Sequence, residues 1–301
     1  MFAVLCTVFS ILVVFGLWVI LYDTHRFVVV KHTFKSVKIK KATRLVMMSD
    51  LHNYQYGKDN EQLLGAIYEA SPDVIVICGD MITANKNDKI DKTLDFLKKL
   101  KEKYPIYYAY GNHEQKISIH KKRFGDMKEQ FEKGLSDIGI RPIRNAHVSL
   151  PDRGIVIYGL EIDYDYFQRF SMRSMPGGYL EKCIGKRDKS SYGILLAHNP
   201  EYFQEYASWG AELVLSGHVH GGIIRVPFLG GFISPAIRFF PKYDGGLFEE
   251  ADSNMVIGRG IGTHTPRVRV FNPAELLVID LAPAGCTEED FTCIDRKKQV
   301  K

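Results

Sequence analysis

The chain has 301 residues, 46% of them apolar and 25% charged, with five cysteines and a formal net charge of +5. That length allows one large domain or two small ones, and the composition excludes wholesale disorder, collagen-like chains and solenoids. The cysteines (Cys6, Cys78, Cys183, Cys286, Cys293) are scattered and odd in number with no CxxC, which speaks against a disulfide scaffold or a zinc ribbon.

Residues 2–22 carry no charged side chain. As a helix rising ~1.5 Å per residue they reach about 31 Å, the thickness of a bilayer's hydrocarbon core. Trp18 and Tyr22 stand at the interfacial end. A cleaved signal peptide would have a basic start, a shorter apolar stretch and a small-x-small site, so the reading is a single uncleaved anchor in the cell membrane. Residues 23–44 then hold Arg26, Lys31, Lys35, Lys38, Lys40, Lys41 and Arg44 against Asp23 alone, leaving the rest of the chain near neutral. A near-neutral body excludes a broad nucleic-acid-binding face, so no nucleic-acid partner is expected. Residues 37–40 alternate like an edge strand with one wet face. Seven cations beside a membrane helix also direct the following domain to the cytoplasm.

Beyond this flank, residues 44–48, 74–78 and 106–110 are strand candidates. They alternate with amphipathic helices at 59–70, 89–103 and 124–138. Apolar runs at 154–159, 193–197, 212–215, 255–257 and 276–281 make the second half strand-rich. The pattern predicts one α/β domain over 45–283, built on mixed sheets, after an anchor (1–22) and a basic segment with an edge strand (23–44). A tail (284–301) follows.

Chemistry-bearing residues cluster just after the apolar runs. Asp50-Leu51-His52 follows the first, Gly79-Asp80 the second and Gly111-Asn112-His113-Glu114 the third; His198 and Gly217-His218-Val219-His220 follow two later ones. In layered α/β folds the carboxyl ends of strands line the ligand crevice. Each motif alone is weak, since an Asp after a strand is usually a turn former. Five of them in this position are not explained by turns.

Two divalent cations ~3.5–4 Å apart need a shared carboxylate, which Asp80 can supply. Asp50, His52 and His220 suit one cation, and Asn112, His198 and His218 the other. Ligands without thiolate fit manganese, iron or zinc. Such a pair acidifies water to hydroxide for in-line attack at phosphorus, and His113, beside ligand Asn112, is placed to protonate the leaving oxygen or stabilise the transition state. Asn53, Gly221 and Gly222 adjoin these motifs and either contact phosphate or serve turns.

In this order the motifs resemble those of the calcineurin-like metallophosphoesterases: D-x-H, G-D, G-N-H-[ED], H and G-H-x-H. Ser49-Asp50-Leu51-His52-Asn53, His198-Asn199-Pro200-Glu201 and Gly217-His218-Val219-His220-Gly221-Gly222 are most similar to a bacterial branch with one N-terminal membrane helix. The resemblance implies a four-layer αββα sandwich, a dinuclear centre and hydrolysis of phosphate esters. Relatives in that branch include UDP-2,3-diacylglucosamine pyrophosphatases. Protein phosphatase activity is not implied: Gly79-Asp80 runs into Met81-Ile82-Thr83-Ala84-Asn85, without the Asp and Arg of G-D-x-x-D-R-G.

The leading expectation is therefore a membrane-anchored hydrolase of a phosphodiester or pyrophosphate, in a lipid-linked or envelope precursor. A nuclease or cyclic-nucleotide phosphodiesterase using the same centre, and a non-catalytic tethered scaffold, are the alternatives. The cluster Tyr164, Tyr166, Phe167 and Phe170 reads as core, as does Cys78. The apolar stretch 228–240 reads as packing over a sheet edge, with contact to lipid or an acyl chain as the alternative.

Overall fold

The computed structural model describes residues 1–168, 173–222, 224–226, 230–233, 239–263 and 267–286. Phe170, Phe228 and Cys293 lie outside the described residues. In chain order the first half holds α1 (Phe2–Thr24), β1 (Phe27–Ser36), β2 (Thr43–Met48), α2 (Glu61–Ala70), β3 (Val74–Cys78), α3 (Asp91–Lys101), β4 (Ile106–Ala109), α4 (Asn112–Ile119), α5 (Lys121–Phe124) and α6 (Met127–Asp137). The second half holds β5 (Ala146–Leu150), β6 (Ile155–Leu160), α7 (Tyr179–Ile184), β7 (Tyr192–Ala197), α8 (Phe203–Trp209), β8 (Leu213–Ser216), β9 (Ile224–Val226), β10 (Gly230–Ile233), β11 (Gly246–Glu250), β12 (Ser253–Ile257) and β13 (Ala274–Pro283).

Two mixed sheets form the centre, ordered β1-β13-β2-β3-β4 and β11-β12-β8-β7-β6-β5. Their strands are apolar on both faces because each face is covered. Alternation then sorts the side chains into three cores. Val46, Met48, Ile75 and Ile77 face the helical layer of α2, α3 and α6. Leu45, Met47, Val74 and Val76 point the other way and meet Ile155, Ile157, Ile194 and Leu196 between the sheets. Val156, Tyr158 and Leu195 face α7 and α8. These layers are the four of an αββα sandwich, with Cys78 in the middle core.

Local differences from the sequence expectation have physical causes. The helix expected over 124–138 is broken at Gly125, whose φ of 61° no helix accommodates, and resumes as α6. Residues 37–40 form a turn, and the edge strand lies earlier as β1. There Lys31 and Lys35 face solvent while Val30 and Phe34 pack inward. Several of the flank's cations meet acids of the body: Lys31 and Arg44 reach Asp280 at 2.8 and 2.7 Å, and Lys38 reaches Glu212 at 2.6 Å. Within 228–240, Phe239 and Phe240 are 63% and 60% exposed, so at these residues the expected packing over a sheet edge does not occur.

α1 has a mean hydropathy of 2.8 and its surface is almost wholly open, the character of a membrane span or a signal sequence. Its last turn nonetheless docks on the body. Asp23 Oδ2 accepts the Asn272 backbone N–H at 3.2 Å, Thr24 Oγ1 accepts that of Arg269 at 3.1 Å, and the Thr24 carbonyl accepts the Tyr54 hydroxyl at 2.9 Å.

Candidate functional site

Every strand that ends in a chemistry-bearing motif releases it at the same edge of the sandwich. β2 delivers Asp50 and His52, β3 delivers Asp80, and β4 passes through Gly111 into α4, which opens with Asn112 and His113. β7 and β8 deliver His198, His218 and His220 from the second sheet. Asp50, His52, Asn53, Asp80, His218 and His220 all adopt left-handed backbone, with φ between 50° and 71°. Such strain in non-glycine residues persists only where the surroundings enforce it, and it turns each side chain into the shared space. Glycine allows the approach: a Cβ on Gly111 would collide with Asp80 Oδ1, and one on Gly217 with Asp50 Oδ2.

The ligating atoms fall into overlapping groups, Asp50 with His52 and His220, Asp80 with His198 and His218, and His52 with Asp80 and His113; within each group they lie within 4.8 Å of one another. His220 Nε2 is 3.3 Å from Asp50 Oδ1 and 3.1 Å from His52 Nε2. His198 Nε2 is 3.1 Å from Asp80 Oδ2, and His52 Nε2 is 3.9 Å from both Asp50 Oδ1 and Asp80 Oδ2. Asn112 Oδ1 is buried and has no hydrogen-bond partner among the described residues.

These residues fit a divalent metal. His198 Nδ1 contacts the Cys78 carbonyl at 2.5 Å, which fixes a proton there and turns Nε2 toward the carboxylates, the usual orientation of a metal-ligating histidine. The Asn112 amide oxygen, buried and without a partner among the described residues, stands where α4 opens at the same edge of the sandwich. The electrostatics ask for a cation as well. Burial raises the Asp50 carboxyl to about 6, against the pull of His198. Burial also opposes ionisation of Asp80, yet His198 and His113 hold it well below the usual carboxylate range. Burial would lower His198, but the Asp80 and Asp50 carboxylates outweigh it and raise the imidazole to about 10. Two desolvated carboxylates thus recruit positive charge from their own histidines.

His113 is arranged differently. Its Nδ1 accepts the Ala84 N–H at 2.8 Å, so the neutral ring carries its proton on Nε2. Its backbone N–H donates to Asp80 Oδ1 at 2.8 Å. The Asn53 Oδ1 accepts from Thr93 at 2.8 Å, while its buried amide nitrogen has no partner among the described residues. Gly222 commits its N–H to the Val219 carbonyl and so serves the turn; Gly221 shares that turn with φ of 71°. Phe167 is half-buried at the margin of the third core, and its ring also lies 5.2 Å from that of His218, at the site.

Three further residues, Glu114, Arg269 and Asn272, have no role in the sequence expectation. The Glu114 carboxylate accepts the N–H groups of Asp80, Met81 and Gly111, each at 2.9 Å, and the Tyr108 hydroxyl at 2.6 Å. Burial, with the Asp80 charge, raises Glu114 to about 7. A Glu at the third position of α4 after a Gly cap is the visible signal. Asn272 donates from Nδ2 to the carbonyls of His220 at 2.8 Å and Gly222 at 2.7 Å. Buried Arg269 donates to the carbonyls of Arg259, Gly260 and Gly262 at 2.8, 3.1 and 2.6 Å. Neither carries a sequence signal, because both act on backbone carbonyls.

The family model for calcineurin-like phosphoesterases matches residues 43–222, more than half of the chain. The chain belongs to that metal-dependent family and is a phosphoester hydrolase. It is 26% identical over 268 residues to an uncharacterized metallophosphoesterase of Aquifex aeolicus, covering 87% of this chain and 95% of that one. It is 25% identical over 268 residues to the uncharacterized metallophosphoesterase YkuE of Bacillus subtilis, covering 86% and 87%. A Campylobacter jejuni relative, 28% identical over 251 residues, is longer: the match covers 81% of this chain but 60% of that protein. A solved structure from Thermus thermophilus aligns with a TM-score of 0.41 at 13% identity, over 72% of this chain and 89% of that one.

Proposed function

We propose that this chain is a membrane-anchored, dinuclear metal-dependent hydrolase of a phosphodiester or pyrophosphate bond in a lipid-linked or envelope precursor such as UDP-2,3-diacylglucosamine. The observation that carries it is the convergence of Asp50, His52 and His220 on one side and Asp80, His198 and His218 on the other, within 4.8 Å in each group. Asp80 serves both sides and Asn112 completes the second. When bound, two divalent cations (manganese, iron or zinc) supply charge neutralisation at the phosphoryl group and acidify a water.

The protein's own groups do the rest. His113 presents Nε2–H toward the leaving oxygen as a hydrogen-bond donor that stabilises its developing negative charge, while the Ala84 N–H holds the ring in the required tautomer. Asn53 offers its unpaired amide N–H to a phosphoryl oxygen, fixed by Thr93. α1 supports the anchored, single-pass reading by length and hydropathy. The basic flank supports a cytoplasmic domain.

The test is turnover by the purified full chain in detergent, with bound metal quantified in parallel. Phosphomonoesters, phosphodiesters and pyrophosphates, UDP-2,3-diacylglucosamine among them, form the panel. Metal-dependent cleavage of a diester or pyrophosphate is expected. A fully metal-loaded protein that cleaves none of them would sink the reading.

A further inference from the structure

Two cavities meet at Phe271. One, of about 690 Å³, is lined by Arg225, Lys242 and Arg259, with Asp244 the only acid among its described lining residues and with Phe240 and Phe271 on its walls. The other, of about 310 Å³, runs beside the second half of α1 between Phe15, Trp18, Tyr22 and Phe271. The first is cationic on balance; the second is mostly apolar, with the ion-paired Asp23 and Arg26 also on its wall, and Phe271 lines both. The cationic cavity also adjoins the catalytic edge: Arg225 Nη1 donates to the Gly221 carbonyl at 3.1 Å, one residue beyond His220. Asp244 pairs with Arg225 at 3.0 Å and Glu275 with Arg259 at 3.0 Å, so three cations against two carboxylates leave one net positive charge, on Lys242.

We propose that these joined cavities seat one membrane lipid with a phosphate headgroup, the phosphate among Arg225, Lys242 and Arg259 and an acyl chain along α1 beneath Phe271. The occupant follows from depth. Phe15 lies ~4.5 Å further along α1 from its interfacial end than Trp18. The Phe15 and Phe271 rings are 6.5 Å apart, so a bilayer-embedded α1 carries Phe271 to the boundary of headgroups and acyl chains. Phe240 and Phe271, which line the cationic cavity, are 60% and 43% exposed. Cations held at that level select anionic headgroups, and a free phosphate would leave the apolar half without purpose. The inference rests on the membrane-anchored reading and narrows its substrate to lipids presented in the plane of the bilayer.

The full chain carries two tryptophans, so Trp209→Phe leaves Trp18, in the apolar cavity, as the sole emitter. In phosphatidylcholine nanodiscs, a brominated phosphatidic acid should quench Trp18 more strongly than brominated phosphatidylcholine at equal mole fraction. Lys242→Gln, at an exposed position that folding tolerates, should lower that preference about fivefold, the worth of one cation at a lipid surface. Equal quenching by the two lipids would overturn the site but leave the anchor intact. So would an unchanged preference in a Lys242→Gln/Arg225→Gln protein, or displacement by inorganic phosphate as effective as by lipid. Quenching by neither lipid would place α1 outside the bilayer, and both readings would fall together.

Discussion

Asp23 and Asn272 are hydrogen-bonded, carboxylate to backbone N–H at 3.2 Å, although 249 residues separate them in sequence. Asn272 then spends its side chain on the carbonyls of His220 and Gly222. The last turn of the apolar helix is therefore two hydrogen bonds from a candidate metal ligand. Asn272→Ala removes both donors and leaves two buried carbonyls unpaired. Metal affinity should fall about 10–100-fold, the effect expected when a ligand loses its orienting contacts. Titration calorimetry on the folded variant checks this; unchanged affinity would mean that the loop holds itself.

His113→Gln should lower turnover by about 10²–10⁴-fold while metal content stays near that of the parent. Glutamine can still accept the Ala84 N–H, so the loop is kept and the imidazole donor alone is lost. Elemental analysis beside single-turnover kinetics separates the outcomes: loss of metal would make His113 a ligand instead.

Asp80→Asn should fail in the opposite manner, with metal occupancy falling along with turnover. The substitution removes a carboxylate charge that stands in two of the three candidate ligand groups. An asparagine variant retaining two metals per chain would refute the bridging role.

Glu114→Gln tests the clasp between motifs. The carboxylate accepts four hydrogen bonds, and an amide nitrogen placed there would point its hydrogens at donors. We expect a loss of about 3 kcal/mol, read as a lower midpoint in denaturant with an unchanged slope. A variant as stable as the parent would show that the motifs are held elsewhere.

Membrane sidedness can be read from Cys286, a free and partly exposed thiol just beyond β13. A cytoplasmic domain predicts that a membrane-impermeant thiol reagent labels Cys286 only after cells are permeabilised. Labelling of intact cells would put the domain outside.

Much of the site is legible in the sequence because each motif follows an apolar run that cannot be anything but a buried strand. Val74–Cys78 and Tyr192–Ala197 are uninterrupted, so Asp80 and His198 have to emerge at strand ends. β1 is harder, because its exposed lysines resemble a juxtamembrane flank and its partner, β13, lies at the far end of the sequence. Phe167 reads as core because aromatics in a cluster usually are, and nothing local reveals that His218 returns beside it. Arg269 and Asn272 hold carbonyls, and carbonyls have no sequence signature.

β13 lies between β1 and β2, which do not pair with each other. During synthesis those two strands emerge first and must wait, with a strand-wide gap between them, until the segment Ala274–Pro283 leaves the ribosome. Asp280 travels on that late segment, and it is the acid that meets both Lys31 and Arg44. On the membrane-anchored reading, neither cation has met this partner while α1 is being threaded into the bilayer. The stretch after α1 would then be at its most positive when orientation is decided, and the completed fold would partly neutralise it. Timing would let one set of side chains first steer insertion and later cement a sheet edge.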